Sequence, residues 1–233
     1  QECAPGLFDL DDAFFVLDLG YWQFRNFYLE YSVLDVCFDI LDAGFVEEAI
    51  ALLRGALTIA PLNAMLNYTL AYCYELSGDA RMAARYRKAA PKEKIVDVFP
   101  MRAGEIRVLE AALNANEKDG FAAYLLGCIK YNSRLYEDAA ALWEKAIKHM
   151  PSFYITYRNL ALAYFNHLSR PADAYKLMCR AVELHDKDAT LLTEMATVMQ
   201  QAGTSFAEGA RFLDVFAGSG AVGLEAMSRG ASS

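Results

Sequence analysis

Apolar side chains along this chain recur three and four positions apart, with polar residues filling the gaps. In the stretch Gly120–Phe153, Tyr124, Leu126, Ile129 and Tyr131 precede the polar run Asn132-Ser133-Arg134. Tyr136, Ala139, Leu142, Trp143, Ala146 and Ile147 follow it. Such spacing puts one apolar stripe on each of two helices and predicts a helix, a short turn and a second helix.

The pattern repeats. One column of small residues contains Cys37, Ala71, Gly127, Ala161 and Ala196, and a second contains Ala49, Ala83, Ala139 and Ala174. A third, Ala56, Ala90, Ala112, Ala146 and Ala181, keeps a step of 34 or 35 except for 22 between Ala90 and Ala112, where a first helix is expected to be largely missing. Gly44, Gly78 and Gly203 stand seven places after the first column, and Pro61 and Pro151 five after the third. Small residues suit helix crossings because a bulky side chain would hold the axes beyond close contact. Glycine lets the chain leave the first helix, and proline ends the second without an unpaired N–H. A hairpin of this size cannot bury both faces alone, so the hairpins must stack into an all-α solenoid.

Segments such as Gly120–Phe153 and Tyr154–Lys187 resemble the tetratricopeptide repeat, with departures at Lys130, Arg134 and the stretch Pro91–Arg102. The wording of Arg158–Asn166 and Glu105–Asn116 also resembles arrays that follow mutarotase-like domains in bacterial proteins. The resemblance divides the chain into an aromatic-rich capping segment (1–29), repeats (30–116, irregular near 91–116), further repeats (117–203) and a non-repeat tail (204–233). It implies a non-enzymatic scaffold that holds a peptide or partner domain in a groove lined by first helices. By the repeat frame the groove residues are Tyr68, Tyr72, Tyr124, Tyr131, Asn132, Arg158, Phe165 and Asn166, followed by Thr193, Thr197 and Gln200. Tyr and Arg are frequent interface anchors, and Arg158 has no acidic partner within its own helix.

Composition narrows the alternatives. A net charge of −8 argues against a surface built on phosphate neutralisation, so no nucleic-acid partner is expected. Cys3, Cys37, Cys73, Cys128 and Cys179 are odd in number and form no C-x-x-C pair, which points to a reducing, cytoplasmic location without a disulfide framework or zinc ribbon. No apolar run reaches the ~18 residues of a membrane span, so no membrane partner is expected. His149, His167 and His185 are too scattered for a metal site, and Glu47-Glu48 and Glu137-Asp138 begin second helices, where they complement the helix dipole. The aromatics of the first segment, among them Phe14, Phe15, Tyr21 and Trp22, are read as a cap on the first hairpin.

The tail breaks the pattern. Phe212–Phe216 is β-prone, Ala217-Gly218-Ser219-Gly220 is a glycine-rich loop, and Ala221–Ser228 favours helix. A strand, glycine turn and helix N-terminus suit a nucleotide cradle. The segment Arg211–Ala231 resembles the first motif of S-adenosylmethionine-dependent methyltransferases that modify guanine N2 in small-subunit ribosomal RNA. That resemblance implies S-adenosylmethionine as a cofactor, held by Asp214, Gly218, Ser219 and Gly220. The family's further strands, ribose-binding acid and catalytic Asn/Asp-Pro-Pro motif do not follow within the chain, so the tail is expected to be a truncated or fused fragment without activity.

Overall fold

The computed structural model describes residues 31–61, 63–90, 100–186 and 188–201. They contain ten helices and no strand: α1 (31–42), α2 (Val46–Ile59), α3 (Ala64–Leu76), α4 (Ala80–Ala89), α5 (Ala103–Ala115), α6 (Gly120–Asn132), α7 (Tyr136–His149), α8 (Tyr154–Asn166), α9 (Pro171–Leu184) and α10 (Ala189–Gln201). The fold class is an all-α solenoid of tetratricopeptide-type hairpins. The capping segment 1–29 and the tail 204–233 lie outside the described residues.

Two compact units divide the chain, residues 1–99 and 100–233. In the first, α3 packs against both α2 and α4. In the second, α5 packs on α6, the hairpins α6–α7 and α8–α9 close most extensively, and α7–α8 and α9–α10 join successive hairpins. Helix α5 carries Ala112 of the third column and therefore takes the place of a second helix.

The three columns account for the packing. Ala49, Ala83, Ala139 and Ala174 are fully buried, as are Ala56, Ala90, Ala112, Ala146 and Ala181 to within a few per cent. Cys37, Ala71, Gly127 and Ala161 are buried too, whereas Ala196 is half-buried. At Gly127 even a methyl group would force the indole to shift, because a Cβ there would lie 2.5 Å from Nε1 of Trp143. The indole lies across the glycine and donates its N–H to the Tyr124 carbonyl at 3.1 Å.

Local signals start the helices. Asn63, Asp79 and Asp119 accept from the backbone N–H three residues on, at 2.9, 3.0 and 3.0 Å, which satisfies donors a helix start leaves open. Pro171 opens α9. Gly44 and Gly78 leave α1 and α3 at φ of 88° and 85°. Arg134 takes the same left-handed place after α6 at 62°, and the turn before α9, one residue longer, moves it to Ser169 at 53°. The carbonyls of Pro61 and Pro151 accept from side chains six residues on, Asn67 Nδ2 at 3.2 Å and Tyr157 Oη at 3.1 Å.

Candidate functional site

The first helices of the second unit bear a polar ladder. Glu194 on α10 receives both the Nε and the Nη2 of Arg158 on α8, the first at 2.6 Å. Nη1 of Arg158 reaches Oδ1 of Asn159 at 3.3 Å, and the Asn159 side chain lies near the Tyr124 phenol of α6. Bonding to the Glu194 carboxylate holds the guanidinium firmly protonated, above its ordinary range. Burial raises the Tyr124 phenol and pushes the neighbouring Cys128 thiol up to about 11, so both stay neutral.

This arrangement corrects part of the groove reading. Arg158 has its acidic partner one repeat further on, and its donors are directed at Glu194 and Asn159, so it ties α8 to α10 and is not a free cation awaiting a ligand. Tyr68 is 1% exposed and Tyr124 7%. Their rings pack inside because they share the inward face of a first helix with the small-residue columns. Tyr72 is half-buried in the first unit.

Four of the expected residues remain accessible in the second unit: Tyr131 and Phe165 are half-buried, Asn132 and Asn166 exposed. They gather at the C-terminal ends of α6 and α8. The Tyr131 hydroxyl lies 3.1 Å from Nε2 of His167, with the Asn166 side chain nearby. His167, set aside in the sequence as too far from the other histidines for a metal site, stacks on Tyr136 with centroids 3.7 Å apart and rings 3° from parallel. Its place was hidden because it depends on a contact between successive hairpins. Thr193 and Thr197 are exposed but turn their hydroxyls to the carbonyls of Ala189 and Thr193. The side chain of Gln200 lies outside the described residues.

Asp214, Gly218, Ser219 and Gly220 also lie outside the described residues. Among those described, no group of three or more His, Cys, Asp or Glu is placed to hold a metal, and no helix is long and apolar enough to cross a membrane. Cys37 and Cys73, far apart in sequence, meet as free thiols in the core of the first unit, and the contact with Cys37 together with burial raises Cys73.

A family profile described as "conserved hypothetical protein 95" matches residues 194–233, the region that includes the methyltransferase-like motif. Among solved structures, the chain is similar to PilF of Pseudomonas aeruginosa (18% identity, 88% of this chain and 86% of that one, TM-score 0.44). It is also similar to MamA of Desulfovibrio magneticus RS-1 (15%, 86% and 94%, 0.42). A third similarity is to YrrB, described as a TPR protein with an unusual peptide-binding site (14%, 70% and 89%, 0.36). At these identities and scores the fold assignment rests on the hairpins of this chain themselves.

Proposed function

We propose that the chain is a non-enzymatic interaction module that binds a peptide or partner domain along its first helices, at the patch formed by Tyr131, Asn132, Phe165 and Asn166. The observation that carries this reading is that two successive first helices present aromatic and amide groups at their C-terminal ends, with the Tyr131 hydroxyl of α6 3.1 Å from Nε2 of His167 just beyond α8. Aromatic rings supply contact area at small entropic cost, and amides can pair with the backbone of an extended ligand. The Arg158–Glu194 pair supports it by tying α8 to α10.

Phage-displayed peptides selected on the full chain provide the test. A photo-crosslinking residue at Asn132 or Asn166 should capture the selected peptide, whereas one at the exposed Lys148 on α7 should not. Equal capture at all three positions would remove the patch from the site.

The family match over residues 194–233 favours one second reading, that the tail derives from an S-adenosylmethionine-dependent rRNA methyltransferase. Asp214, Gly218, Ser219 and Gly220 would form at most one wall of a cofactor pocket, and small-molecule sites need several convergent walls.

A further inference from the structure

We propose that an open cleft between α2 and α4 in the first unit binds an acidic, extended peptide segment of another protein. The cleft has a volume of about 690 Å³ and is walled by second helices, with Pro61 and, on α3, Asn67 between them, separate from the patch proposed above. One wall carries Arg54, Gly55 and Thr58 of α2, the other Arg85, Tyr86 and Ala89 of α4.

Charge is the first argument. No acidic residue lines the cleft, although the chain as a whole is acidic. Arg81, Arg85 and Lys88 succeed one another at four and three residues, so they share one face of α4, and all three are exposed. Among the described residues no carboxylate pairs with them or with the exposed Arg54. Their neighbour Arg87, by contrast, is spent on Glu75 at 2.8 Å. Arg85 lies over the Tyr86 ring, 5.9 Å from its centroid. Cations without a carboxylate among the described residues, on both walls of one cleft, match carboxylates presented by a ligand.

Gly55 is the second, independent argument. It sits inside α2, where glycine costs about 0.5–1 kcal/mol relative to alanine. The fold does not require it: its backbone is helical rather than left-handed, and a Cβ would meet nothing within 4 Å. A glycine on a cleft wall leaves the helix backbone open to close approach by a ligand. The remaining wall residues favour a peptide over a small anion, since Ala89 is apolar and Tyr86 is held in place by stacking on Tyr74 at 5.6 Å. The volume is also within the range of sites that enclose whole organic ligands, far above that of a single ion.

Fluorescence anisotropy on the full chain provides the test, with a fluorescein-labelled peptide of roughly nine residues made of Glu-Glu-Leu repeats. Its Gln-Gln-Leu counterpart and a single-stranded DNA of similar length serve as competing probes. The acidic peptide should bind saturably and more weakly as salt rises. Arg54→Glu with Arg85→Glu should weaken it about tenfold or more with an unchanged melting curve, and Gly55→Phe should weaken it while helicity is retained. Absence of saturable binding, equal binding of the Gln-Gln-Leu peptide, tighter binding of the DNA, or indifference to both variants would each overturn the proposal. Tyr131→Ala should leave this binding unchanged, so the cleft and the first-helix patch stand or fall separately.

Discussion

At the scale of single residues, two positions carry costs that a substitution should relieve. Arg134 holds a left-handed backbone where the equivalent turns have Gly44 and Gly78. Arg134→Gly should therefore raise stability by about 1 kcal/mol, read from denaturant melts. The hydroxyl of the fully buried Thr156 finds no hydrogen-bond partner, so Thr156→Val should be neutral or stabilising by up to about 1 kcal/mol. Tyr164 provides a pH signature. Burial, and then its bond to Glu144, push its phenol from 10.0 up to about 12. As pH rises the unfolded chain loses this proton first, so the contribution of Tyr164 is full below pH 10, falls between 10 and 12, and should fall less steeply in Tyr164→Phe. Arg134 was legible in advance as a departure from glycine. Glu194 was not, because a search for an acidic partner within α8 cannot see a residue one repeat further on.

Between elements, the alanine columns made the hairpin crossings readable from spacing alone. What seats on the small residue is a matter of shape that spacing does not encode. Trp143 lies against Gly127, so Gly127→Ala should cost about 1–3 kcal/mol through overpacking, measured as a fall in melting temperature. The start of α5 was likewise unreadable, since the period fails there and no Ser, Thr, Asp or Asn marks it. The structure supplies Glu105 instead. It is fully buried, accepts the N–H of Met101 and of Arg102 at 2.6 Å each, and pairs with the Arg102 guanidinium at 3.2 Å. Glu105→Ala strands two backbone donors and should cost about 2–4 kcal/mol. Hydrogen exchange at those two amides should accelerate more than anywhere in α6.

For the whole molecule, the irregular step between Ala90 and Ala112 coincides with the change of unit at residues 99 and 100. Repeat arrays are held by nearest-neighbour interfaces, so a defective repeat is expected to be their weakest joint. Limited proteolysis should cut first within 91–104, ahead of any site in 120–186. Titration of the 233-residue chain with millimolar S-adenosylmethionine should give no saturable heat, and heat abolished by mutating Gly218 and Gly220 would favour the methyltransferase reading. The Trp143 seat has a consequence of another kind. The chain has two tryptophans, Trp22 and Trp143. In a Trp22→Phe background the emission comes from an indole 2% exposed and held between α6 and α7, so its red shift reports the opening of that one hairpin. Far-ultraviolet ellipticity sums every helix. Non-coincident probes signal a stepwise transition, and on heating the ellipticity should begin to fall before the emission moves. The fold thus contains its own optical gauge of how far unfolding travels along the array.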